Sequence, residues 1–105
     1  MIYAIKAIGT PFIKFGVTRG DQIGKRLAEL QIGCPHELAL LAISDWPDTT
    51  ERQIHWYLAP LLERGEWFRE GERTSHLLRL MNNADAGLES LLLVAIPAKK
   101  PRKRR

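Results

Sequence analysis

The most constraining stretch of this chain is its N-terminal end. Residues 2 to 8, IYAIKAI, and residues 12 to 17, FIKFGV, are two β-prone runs separated by the turn signal Gly9-Thr10-Pro11. Their alternation and content of β-branched and aromatic residues predict two strands, and the short connection predicts an antiparallel hairpin. The rest of the chain has to pack around that hairpin. With 105 residues it forms a single domain, which at this size buries roughly two thirds of the surface its unfolded form exposes.

Further elements follow from local punctuation. Asp21 can cap a helix whose apolar positions Ile23, Leu27, Leu30 and Ile32 follow helical spacing, and Gly33 with Pro35 stops it. Residues 37 to 46, ELALLAISDW, suit a third strand bounded by Pro35 and Pro47, although periodicity alone leaves a helix open. Asp48-Thr49-Thr50-Glu51 reads as a capping box opening a second helix. That helix should reach about Leu62 and bend or end near Leu58, because Pro60 lacks the N–H of the helical ladder.

Gly65 then turns the chain into Glu66-Trp67-Phe68, and a third helix runs from about Thr74 to Met81 until Asn82-Asn83 breaks it. Residues 86 to 96 read as a last helix, ended by Pro97, and the tail beyond is too charged to fold. The expected organisation is a domain over 1–83, a helical extension over 84–98 and a disordered basic tail over 99–105. The expected class is α+β, a three-stranded antiparallel sheet flanked by helices in the order β-β-α-β-α-α.

The net charge of +4 is unevenly spread. Residues 1 to 26 hold five basic side chains against Asp21, residues 27 to 98 hold five arginines against eleven acids, and the last seven residues hold six positive charges. A polyanion is therefore expected at the two ends of the sequence. Were Lys99, Lys100, Arg102, Lys103, Arg104 and Arg105 all to meet phosphates, the salt slope of DNA binding would gain about −5, without sequence preference. Such tails also serve solubility or targeting.

Cys34 is the only cysteine, which excludes an internal disulfide and a cysteine-ligated zinc, and suits a reducing, cytoplasmic setting. No apolar run approaches the roughly 20 residues needed to cross a bilayer. Nothing in the sequence marks a membrane or export protein.

Few residues carry chemistry. Arg26, on the first helix, can give two parallel hydrogen bonds to a phosphate, or can be a surface arginine; Lys25 beside it is solvated or touches a DNA backbone. Glu51 either completes the capping box or offers oxygen to Mg²⁺, an ion that often needs only one or two protein carboxylates. His55, four residues on, shares its helical face. His36 and His76 have no comparable company, so a two-histidine metal site is not supported. Trp67 and Phe68, like Trp46 and Trp56, read as packing residues.

Taken in order, Ile2-Tyr3, Lys14-Phe15-Gly16, Arg26, Glu51 with His55, and Gly65-Glu66-Trp67-Phe68 resemble the GIY-YIG nuclease superfamily over about residues 2 to 81. Lysine stands at 14 where better-known members have a second tyrosine, which points to the small phage-type branch. The resemblance implies a DNA endonuclease that hydrolyses phosphodiesters with Mg²⁺ or Mn²⁺. In it Tyr3 activates water, Lys14 tunes Tyr3, Arg26 holds the phosphate and Glu51 holds the metal. His55 takes a proton from Tyr3, steadies Glu51 or is structural. A non-cutting DNA-binding module of the same fold, in which Arg26, Lys14 and the tail grip DNA, and a protein-interaction module using the acidic middle, are the alternatives.

Overall fold

The structure is a computed structural model that describes residues 1 to 83. The helix expected over 86 to 96, the extension 84–98 and the basic residues of the tail lie outside the described residues. Within them the order is β1 (Ile2–Ala7), β2 (Phe12–Val17), α1 (Ile23–Gln31), β3 (Leu38–Ser44), α2 (Thr50–Tyr57), β4 (Leu62–Arg64), β5 (Trp67–Arg69) and α3 (Glu72–Asn82). The class is α+β, but the sheet has five strands rather than three, in the spatial order β3-β1-β2-β5-β4, all pairs antiparallel.

The two additional strands explain the miscount. Each has three residues, and β4 (Leu-Glu-Arg) is exposed throughout, so it has no buried face to produce alternation. Backbone pairing and the turn at Gly65, with φ of +60°, define it. That left-handed conformation is open to glycine at little cost.

The interior strand β1 is almost wholly buried because it has a strand on each side and helices on both faces, so its sequence is close to a continuous apolar run. Ile2 and Ala4 join Ile13, Phe15, Ile54, Leu58, Phe68 and Leu77 in one core, beneath α2 and α3. Tyr3, Ile5 and Ala7 join Leu38 in a second core, under Ile23, Leu27 and Leu30 of α1. The register of β1 with β3 shifts between Ala4 and Ile5, where Ala42 and Leu40 are the successive partners. This bulge places Leu41 out of register and lets Leu38 and Ala42, four residues apart, serve opposite cores.

Several local expectations are corrected. Asp21 lies in a short 3₁₀ turn, Gly20–Gln22, and caps nothing with its side chain; Ile32 is 82% exposed, beyond the end of α1. α2 does not reach Leu62 but ends at Tyr57, in line with the end expected near Leu58, and Pro60 falls in a separate 3₁₀ turn, Ala59–Leu61, where its missing N–H costs no helical bond. α3 begins at Glu72, with Thr74 Oγ1 accepting from the Gly71 N–H at 2.8 Å. No helix among the described residues is long and apolar enough to cross a membrane.

Gly16 shows how tightly the α1 side is built. It pairs with Tyr3 across the β1–β2 ladder, and a Cβ there would lie 2.5 Å from the Tyr3 hydroxyl oxygen and 2.7 Å from Cζ. The tyrosine is fully buried, so its ring has to shift against packed neighbours. Gly16→Ala is therefore expected to cost about 1–3 kcal/mol through overpacking, read as a lower urea midpoint with an unchanged slope.

Candidate functional site

The ladder between β2 and β5 stops early. Phe12, Ile13 and Lys14 pair with Arg69, Phe68 and Trp67, and the Phe15 N–H still donates to the Glu66 carbonyl at 3.3 Å. The Phe15 carbonyl has no strand partner on that side. His55 takes its place, with Nε2 2.9 Å from the oxygen and its ring 5.2 Å from that of Phe68. A carbonyl can only accept, so Nε2 carries the proton in this bond. The bond pins the first two turns of α2 over the gap where the sheet runs out.

Glu51 lies one turn earlier on α2, and the expected capping box is not what holds it. The helix starts at Thr50, after Thr49, with no side-chain cap. Asp48 Oδ1 instead accepts from the Met1 nitrogen at 2.9 Å. Glu51 is left facing the gap, with Oε2 3.7 Å from His55 Nε2, too long for a hydrogen bond.

Opposite stands Glu66, which follows the Gly65 turn. Its Oε1 accepts from Lys14 Nζ at 2.6 Å, and the lysine side chain is only 10% exposed. One ligand atom from each of Glu51, His55 and Glu66 fits within a span of 4.8 Å. Burial and then the facing charge of Glu66 raise Glu51 above the usual carboxylate range, against His55 and Lys14. Burial pushes Glu66 upward too, but the hydrogen bond and charge of Lys14, helped by His55 and Glu51, outweigh it and bring Glu66 below that range. Environments that drive two facing carboxylates apart are characteristic of sites with work to do.

Tyr3 and Lys14 project from the same face of the sheet, since Tyr3 pairs with Gly16 and Ile5 with Lys14. Lys14, expected to tune Tyr3, has its ammonium on Glu66. Arg26 of α1 lies beside the Tyr3 hydroxyl, which through hydrogen bonding and charge raises the guanidinium above its usual range. Yet that hydroxyl is buried and meets no partner at full hydrogen-bond geometry. A hydrogen bond needs angle as well as distance, so the hydroxyl counts as unsatisfied. Arg26 also lies 3.7 Å from Glu29, and Lys25 is exposed on the same helix.

The site thus gathers Tyr3, Lys14 and Arg26 from the α1 side and Glu51 and His55 from the α2 side, with Glu66 between them. Among the described residues Lys25 takes no part in this geometry, and the basic tail lies outside them. The sequence gives Glu66 no role beyond its place in Gly65-Glu66-Trp67-Phe68; its signal is a carboxylate directly after the turn glycine and before two aromatics. Trp67 and Phe68 do pack, Phe68 at 1% exposure and edge-to-face with Phe15 at 6.1 Å.

A cleft of about 310 Å³ opens beside Glu51, lined also by Asp48, Thr49 and Arg52. A larger, more apolar cleft of about 440 Å³ lies at the far end of α1, around Ile32, Cys34 and Trp67. Its lining has no carboxylate or basic side chain apart from His36, so chemistry favours the Glu51 side. No family model matches the chain, nor does any curated protein or solved structure.

The donor set fits a hard divalent cation. Two carboxylates with facing oxygens suit Mg²⁺ or Mn²⁺, which prefer oxygen and retain several waters. His55 Nε2 is committed to the Phe15 carbonyl, which makes the histidine a positioning group.

Proposed function

We propose that this chain is a metal-dependent DNA endonuclease of the GIY-YIG type. The observation that carries this reading is Glu51, which caps nothing and faces Glu66 and His55 across a gap in the sheet. Glu51 is the residue that would hold Mg²⁺ or Mn²⁺, and the bound ion supplies a Lewis acid for a phosphoryl oxygen.

The chain's own residues divide the remaining work. His55, tied to the Phe15 carbonyl and stacked near Phe68, keeps Glu51 over the sheet edge. Arg26, 43% exposed along its side chain, offers a planar, permanently charged fork to the phosphate. Tyr3 activates the attacking water. Because its hydroxyl is buried, Arg26 has to move from the hydroxyl onto the phosphate to open it. Lys25 and the six basic residues of the tail strengthen DNA binding without sequence preference. A reducing, cytoplasmic setting belongs to the same reading, with Cys34 free.

The buried Tyr3 hydroxyl also favours a competing reading, a DNA-binding module of this fold that does not cut. Metal-dependent nicking by the wild type separates the two, and Tyr3→Phe then tests the hydroxyl. It deletes a buried hydroxyl that has Arg26 beside it but makes no hydrogen bond of full geometry, so stability should change little. In the nuclease, single-turnover nicking of supercoiled plasmid should fall about a hundredfold or more while DNA affinity holds. Nicking at the wild-type rate would remove Tyr3 from the chemistry.

A further inference from the structure

Glu66 has two claims on it. Lys14 Nζ lies 2.6 Å from its Oε1, and Glu51 offers an oxygen within the 4.8 Å span shared with His55. Lys14 is nearly buried, and an ammonium so placed needs a counter-ion. Glu66 is 41% exposed along its side chain, so it is held by this pair rather than by packing. A divalent cation at Glu51 changes the balance, because both carboxylates attract it and the nearby ammonium repels it.

The Tyr3 hydroxyl, fully buried and with Arg26 beside it at less than full hydrogen-bond geometry, lies on the same sheet face as Lys14, in the neighbouring strand. A hydroxyl left short of a full hydrogen bond and a lysine with a long flexible stem on one face are suited to a common substrate oxygen.

Resting on the nuclease reading, we propose that Glu66 is a shared carboxylate that exchanges partners. In the metal-free protein it neutralises Lys14; when the site is loaded it turns to the ion held by Glu51, and Lys14 turns to the substrate phosphate. Metal binding and DNA binding are then coupled through one side chain, and metal loading favours DNA. By linkage, DNA also tightens the metal by the same factor.

The test is Mn²⁺ binding to the full chain by calorimetry, with DNA affinity measured by anisotropy in Ca²⁺ and in EDTA at matched ionic strength. Glu66→Gln should weaken Mn²⁺ about tenfold or more. Lys14→Met should tighten it about tenfold by removing the competing charge, and should abolish the gain in DNA affinity that Ca²⁺ gives the wild type. Lys14→Gln, which keeps a polar group, guards against misfolding of the first variant and should behave in the same direction. Mn²⁺ affinity unchanged in Glu66→Gln, or unchanged in both Lys14 variants, would overturn the proposal, as would no Mn²⁺ binding by the wild type. Failure of the nuclease reading looks different: the metal and DNA couplings appear as described, but no DNA is cut.

Discussion

Glu51→Gln should lower metal-dependent cleavage by at least about a hundredfold and, in the absence of metal, make the protein more stable at neutral pH. The first effect follows from removing the carboxylate assigned to the metal. The second follows from the electrostatics of the gap. Burial and the charge of Glu66 raise Glu51 in the folded state, so across the interval just above its unfolded value the folded chain binds more protons than the unfolded one. Stability from this group therefore falls as pH rises through that interval and stays lost above it. Glu66 behaves in the opposite sense: lowered in the folded state, it contributes stability above its unfolded value and loses it as pH falls through the folded one.

Glutamine at 51 removes the first slope and leaves Lys14 with its partner. Thermal denaturation in EDTA from pH 4 to 8 should show the variant above the wild type at pH 7, with the gap closing toward acid. For a domain of this size each kcal/mol corresponds to about 4–8 °C. A variant less stable than the wild type at pH 7 would mean that the attraction of Glu51 to His55 and Lys14 outweighs its burial and the repulsion from Glu66.

Phe68→Ala carries the largest structural effect. The ring is 1% exposed, meets Phe15 edge-to-face at 6.1 Å and touches the His55 ring that positions Glu51. Truncation of a buried phenylalanine costs about 3–5 kcal/mol. That is a large share of the roughly 5–15 kcal/mol by which domains are stable. The melting temperature should drop by roughly 10–40 °C, while Phe68→Leu, which retains most of the volume, should lose much less. Circular dichroism melts of the two variants decide the point. Equal losses would mean that aromatic geometry, rather than filled volume, holds β5 to α2.

What could be read ahead of the structure was local. The hairpin of β1 and β2 is written in two apolar runs and a turn between them, and α1 and α3 in apolar spacing, so neither depends on distant contacts. β4 was illegible because its three exposed residues have no buried face, and β5 because its aromatics spoke of packing rather than pairing. At Asp48-Thr49-Thr50-Glu51 a local signature lost to a distant partner. The Asp48 carboxylate bonds to the nitrogen of Met1, which β1 brings there from 47 residues away, and no short pattern can express that.

The candidate site divides along the same line. Tyr3, Lys14, Arg26, Glu51 and His55 could be named because their order resembles a family. Their real partners could not. Lys14 meets Glu66 across 52 residues, and His55 meets the Phe15 carbonyl across 40, because β5 ends before β2 does. Strand length decided both contacts.

Metal-dependent cutting is tested by incubating the purified chain with supercoiled plasmid, branched DNA and single-stranded DNA, each with Mg²⁺, Mn²⁺ or EDTA. The expected result is nicked or cleaved product with either metal on at least one substrate, absent in EDTA and absent with Glu51→Gln. No metal-dependent product from any of the three substrates would contradict the assignment.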